Sequence, residues 1–109
     1  MAKSSEALTQ NAILEYLTAR RIWAMRINVG AMAIGKRFLR FGIPGMADII
    51  AFYPVYDGRG FIPVWIEVKS NIGRQSELQK SFELDVVERG HSYMLVRSVQ
   101  GVEEFLKEL

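Results

Sequence analysis

The chain has 109 residues, half of them hydrophobic, carries 14 Lys/Arg against 12 Asp/Glu for a net charge of +2, and has no cysteine. This is enough for one modest core and excludes disorder, a disulfide framework and thiolate metal sites. A lone histidine, His91, excludes multi-histidine zinc chemistry, so a bound metal would take oxygen ligands, which favours magnesium, manganese or calcium.

No apolar run reaches the roughly 18 residues that a bilayer span needs, and the start Met-Ala-Lys-Ser-Ser-Glu has no signal-peptide core. The expectation is one domain over residues 1–109, outside the membrane and cytoplasmic. Charge is unevenly placed: residues 1–74 hold ten Lys/Arg and five Asp/Glu, and residues 75–109 hold four and seven. A basic N-terminal two thirds suits a polyanionic partner, and equally an ordinary solvated surface.

Leu8, Ala12 and Tyr16 recur at helical spacing and Ile13 and Leu17 widen the stripe, which predicts a first helix to about Arg20, capped by Ser4 or Ser5. At about 100° per residue, Glu6 and Gln10 fall beside the Ile13/Leu17 line. Glu6 there either complements the helix dipole or reaches inward as a carboxylate. Residues 21–29 read as a first strand with Asn28 near its end, placed to form a turn or to donate to a phosphate. Residues 30–35 read as a loop of small and apolar residues. Lys36-Arg37-Phe38-Leu39-Arg40-Phe41 interleaves cations with aromatics, which suits nucleic-acid contacts or an exposed hairpin.

Ile43-Pro44-Gly45 has the signature of a type II turn and leads into a strand headed by Asp48. Asp57-Gly58-Arg59-Gly60 reads as the hairpin connection to a second strand, with Pro54 and Pro63 limiting the pairing or marking an edge. In that second strand Trp65, Glu67 and Lys69 share one face and Ile66 and Val68 the other. Glu67 and Lys69 emerge about 7 Å apart, close enough to address one phosphate and its water. After a loop over residues 70–74, a helix runs from Gln75 or Ser76 to Arg89 and stops at Gly90. Leu78, Phe82 and Val86 form its stripe, and Gln75 and Gln79 lie on the same side, either bonded to loop backbone or directed at a site. Residues 92–96 make a last strand and residues 99–109 a terminal helix. The order α-β-β-β-α-β-α predicts an α/β fold, a central mixed sheet flanked by helices.

Asp48 and Glu67 stand nineteen positions apart, which a strand–hairpin–strand folds into proximity. Two carboxylates at one sheet end, with an ammonium two residues after the second, form a site able to hold a divalent cation beside a phosphodiester. The Gly42-to-Asp48 segment, Ile66-Glu67-Val68-Lys69, Glu6 in the first helix, Gln79 in the next and the strand Gly90-to-Ser98 together resemble the VRR-NUC domains, the virus-type replication-repair nucleases of the PD-(D/E)xK superfamily. Met46-Ala47 precede Asp48 where the superfamily name has proline.

The resemblance covers nearly the whole chain. It implies the restriction-endonuclease-like core and a minimal, free-standing metal-dependent endonuclease acting on DNA. It further implies Holliday-junction or other branched substrates, little sequence specificity, pairing as a homodimer, and a DNA-repair, phage or mobile-element setting. Asp48 and Glu67 would bind Mg²⁺ or Mn²⁺, with the Val68 carbonyl as a further ligand and Glu6 joining directly or through water. Gln79 would position Lys69, the water or a phosphate oxygen. Lys69 would orient the water or offset transition-state charge; two neighbouring carboxylates oppose the lowered pKa a general base would need. Arg26, Lys36, Arg37, Arg40, Arg74 and Asn28 would contact the nucleic-acid backbone. The rival reading is a nucleic-acid-binding or interaction module that keeps the fold without turnover.

Overall fold

The computed structural model describes residues 5–27, 30–55 and 58–109, and only the backbone of residues 30–34 and 38–41. Ser4, Asn28 and Asp57 lie outside the described residues. Helix α1 spans Ser5–Ala19. Its buried line is Ile13 and Leu17, both fully enclosed, while Leu8 is exposed. The stripe is therefore centred one residue round from the Leu8/Ala12/Tyr16 line that spacing suggests. The helix closes in a Schellman motif: Arg21 N–H donates to the Thr18 carbonyl and Ile22 N–H to the Leu17 carbonyl, both at 2.9 Å. Arg21 takes the left-handed position at φ 59°, where glycine is usual. Ile22 and Leu17, the residues that such a motif brings together, are both buried.

That turn shortens the first strand. β1 is Trp23–Arg26 rather than residues 21–29, because Arg21 and Ile22 are used in ending the helix. β2 (Gly30–Ile34) and β3 (Arg37–Phe41) pair antiparallel as a separate two-stranded sheet. The expected loop over residues 30–35 is thus mostly strand. Gly35 at φ 61° lies in the tight link between the two arms, and local pairing with residues 37–41 imposes the extended backbone that Gly and Ala do not favour by themselves.

β4 (Ile49–Pro54), β5 (Phe61–Val68) and β6 (Ser92–Val96) complete the main sheet. Its order is β1-β4-β5-β6, antiparallel except for the parallel β5–β6 pair. With the β2–β3 hairpin set aside as an insertion, the chain follows the expected α-β-β-β-α-β-α order. Pro63 sits opposite Phe52, and pairing with β6 begins one residue later at Val64, so Pro63 meets a neighbouring strand on one side only.

Two layers of helix enclose the sheet. On one face α1 and α3 (Val99–Leu106) pack Ile13, Leu17, Val102 and Leu106 against Ile49, Ala51, Val64, Ile66, Val68 and Val96. On the other, α2 (Glu77–Glu88) packs Phe82 and Val86 on Trp65, Tyr93 and Ala47. Leu78 stays exposed, so the α2 stripe is Phe82/Val86 alone. Trp65 meets Phe82 edge-on at 5.0 Å and donates its indole N–H to His91 Nδ1 at 2.9 Å. Among the described residues, no helix is long and apolar enough to cross a membrane.

Candidate active site

The Ile49↔Ile66 register places Asp48 opposite Glu67 on adjacent strands. Opposed residues of an antiparallel pair share a face, with Cβ atoms about 5 Å apart. Asp48 is fixed on both sides: its carbonyl accepts from Ile27 N–H at 2.7 Å and its Oδ2 from Val68 N–H at 2.8 Å. In an extended strand a residue's N–H and C=O project to the same side, so the Val68 carbonyl also faces the Asp48 edge.

Glu67 is 2% exposed, the one charged residue among the buried ones described. Its Oε2 meets Lys69 Nζ at 3.3 Å and Gln79 Nε2 at 3.2 Å. Its Oε1 is buried with no hydrogen-bond partner among the described residues. Burial, and next the charge of Asp48, push the Glu67 carboxyl up to about 7, against the pull of Lys69. A buried carboxylate facing another, with one oxygen unsatisfied, is costly as it stands. A cation placed between the two would remove that cost.

The turn at Gly45 sets the distance between this pair and α2. Met46 N–H bonds the Ile43 carbonyl at 3.0 Å and Gly45 has φ 86°, the expected type II turn. A Cβ on Gly45 would stand 2.3 Å from the Leu78 carbonyl oxygen and 2.9 Å from the Gln79 nitrogen. Only glycine lets the turn before Asp48 lie directly on the first turn of α2. Ser76 caps that helix: its hydroxyl accepts from Gln79 N–H, and the Gln79 carboxamide oxygen accepts from Ser76 N–H at 2.8 Å. With its oxygen engaged in the cap, Gln79 turns its NH₂ group toward Glu67.

The structure therefore brings together Asp48, Glu67, Val68, Lys69 and Gln79. Glu6 is close by but separately engaged, its Oε1 accepting from Ser70 N–H at 3.1 Å. Among the described residues no three acidic or histidine side chains form one metal cluster. Gln75 is not at the site: it donates to Glu83 at 2.9 Å and to the Tyr93 hydroxyl at 3.1 Å. Burial pushes that hydroxyl up to about 12, against the Gln75 hydrogen bond.

Of the basic candidates, Arg26 donates to Asn11 of α1 and so is occupied on the opposite side of the sheet from Glu67. Lys36 and Arg37 are exposed at the hairpin tip, and Arg74 is exposed before α2. Asn28 and the Arg40 side chain lie outside what is described. Sequence reading missed Arg97, which donates to the carbonyls of Ser70 and Gly73 and clamps the loop after Lys69. A cation directly after a core strand was the available signal.

No family model matches the sequence, and no curated protein matches it. Among solved structures, a VRR_NUC domain aligns with TM-score 0.66 over 96% of this chain and 97% of that one, at 19% identity. At that identity the likeness establishes architecture: the chain has the VRR_NUC fold.

Proposed function

We propose that this chain is a divalent-metal-dependent nuclease that hydrolyses phosphodiester bonds in DNA. The observation that carries the reading is the buried Glu67 with one oxygen lacking a partner, opposite Asp48 and beside Lys69. The VRR_NUC fold supports it. An all-oxygen donor set fits Mg²⁺ or Mn²⁺. Asp48, Glu67 and the Val68 carbonyl would hold the ion. When bound, it would polarise the phosphodiester and acidify the attacking water.

The chain's own groups prepare the rest. Val68 N–H holds the Asp48 carboxylate in one orientation. Gln79 fixes Glu67 Oε2 and leaves Oε1 open. Lys69, paired to Glu67, places a cation where negative charge develops on the phosphate oxygens. Glu6 anchors the Ser70 amide, and a water-bridged contribution is the role this position allows.

Branched or four-way-junction DNA is the proposed substrate, bound by a homodimer. Shape selectivity is supported by the β2–β3 hairpin, which forms its own sheet and carries exposed Lys36 and Arg37 at its tip. Pairing of two copies is supported by the half of the sheet face that α2 leaves uncovered. There Trp23 is 69% exposed and stacks on Phe52, with Met25 and Phe61 also exposed. The test is incubation of duplex, flap and four-way-junction DNA with Mg²⁺ or Mn²⁺. Cleavage that Asp48→Asn and Glu67→Gln abolish, in folded protein, supports the reading. Binding without cleavage of any substrate would leave a non-catalytic module in its place.

A further inference from the structure

Next to Lys69 lies a cavity of about 190 Å³ lined by Ser5 and Thr9 of α1, by Lys69, Ser70 and Asn71, and by Arg97. Its volume is that of about six water molecules at ~30 Å³ each, room for one phosphodiester group with some solvent. Among the described residues the lining holds two cations, a carboxamide and three hydroxyls, that of Thr9 donating to the Ser5 carbonyl, and no carboxylate. Glu67 and Glu6 stand behind it, Glu67 engaged by Lys69 and Glu6 by the Ser70 amide.

The walls are held in place. Arg97 Nη1 donates to the Ser70 and Gly73 carbonyls. Gly73 N–H donates to Ser70 Oγ at 3.1 Å. Arg97 uses Nη1 for the loop, and among the described residues no hydrogen bond engages Nε or Nη2, which leaves donors of the guanidinium for an anion. Gly73 suits this packing, since a Cβ there would press on the Lys69 stem at 3.3 Å.

We propose that this cavity binds a non-scissile phosphate of the nucleic-acid strand, adjacent to the phosphate that Lys69 addresses. The inference rests on the nuclease reading and extends it. Lys69 borders both places, so a strand seated in the cavity is in register with Asp48 and Glu67. The contact is to the backbone and sets position without reading sequence.

The test uses Asp48→Asn protein, alone and combined with Asn71→Asp or Asn71→Ala, binding duplex and junction DNA over a range of salt. Asn71→Asp places a carboxylate in the cavity; Asn71→Ala removes the carboxamide donor without adding charge. Asn71→Asp is expected to weaken binding about tenfold and to reduce the salt slope by about 0.9, the value for one phosphate. A scan of DNA with single uncharged methylphosphonates should show one non-scissile position where the parent protein loses affinity. Both variants should lessen sensitivity at that position and no other, so Asn71→Ala keeps the test open should Asn71→Asp fail to fold. Unchanged slopes and unchanged scans, with the otherwise wild-type chain still cleaving DNA, overturn the proposal and leave the nuclease reading standing. Failure of the wild-type chain to bind any DNA overturns both.

Discussion

Gln79 and Glu67 share a hydrogen bond that makes one side chain serve two structures. The Gln79 amide closes the cap of α2 with its oxygen and holds Glu67 Oε2 at 3.2 Å with its nitrogen. Glutamate would serve the cap as well but would face Glu67 with like charge. Gln79→Glu should therefore keep the cap while lowering the metal-free melting temperature, because it sets a second carboxylate against buried Glu67, and cleavage should fall about 10- to 100-fold, the usual range for a group supporting a metal ligand. Gln79→Ala should lose the Glu67 contact and the side-chain half of the capping box, at a cost of about 1 kcal/mol, while the Ser76 hydroxyl keeps its bond to the Gln79 N–H. Thermal melts alongside a cleavage assay separate the two. Equal cleavage by wild type and Gln79→Glu would show that the contact has no bearing on turnover.

Metal should stabilise the fold through the same pair of carboxylates. Mn²⁺ at about 100 times its dissociation constant contributes ~2.7 kcal/mol, several degrees in melting temperature for a chain of this size. Asp48→Asn should remove that rise. A rise of equal size in Asp48→Asn would place the binding elsewhere.

The raised Glu67 carboxyl makes metal-free stability depend on pH. Folded Glu67 holds its proton to about 7, against an ordinary value of 4.5. Between those values the folded state binds more protons than the unfolded one, so stability is highest below about 4.5 and declines as pH rises through 7. The decline contributed by this group is on the order of 3 kcal/mol. Urea melts of chelator-treated protein from pH 4.5 to 8 should show it, and Glu67→Gln should flatten it. With Mn²⁺ present the trend should weaken or reverse, because the ion requires the deprotonated form.

Arg21 is a site where stability can be gained. It holds φ 59° at the end of α1, a conformation that costs a non-glycine residue about 1–2 kcal/mol. Arg21→Gly should raise stability by about 1 kcal/mol, less the added flexibility of the unfolded chain. Cleavage should be unchanged, because this turn lies outside the Asp48–Glu67 cluster. A lowered melting temperature would mean that the arginine side chain contributes more than its backbone costs.

The core strands were legible because their signals are local. Residues 92–96 match β6, and the Pro44-Gly45 turn and Asp48 strand follow from turn chemistry and apolar runs. The spacing of Asp48, Glu67 and Lys69 on their strands likewise predicted their meeting. What was hidden depends on pairing between distant segments. The β2 strand, built of Gly, Ala, Met and Ile, acquires extended backbone from β3. Leu78 sits on the apolar side of α2 by periodicity yet remains exposed. Arg26 carries a charge that suits DNA, and nothing in the sequence shows its bond to Asn11. The closeness of Gly45 to Leu78 is a tertiary fact that a turn signature leaves open.

The parallel seam between β5 and β6 also governs when the chain can become competent. Lys69 N–H donates to the Val96 carbonyl at 3.0 Å, and Val68 pairs with Val96. β6 reaches that position only after the intervening α2 crossover has closed, a non-local event that is intrinsically slow. The β4–β5 hairpin can align Asp48 and Glu67 early, but the peptide carrying Lys69 has no fixed partner until the last strand docks. A chain emerging in order from its N-terminus would thus align the Asp48–Glu67 pair first and fix the peptide of Lys69 only once β6 has been made.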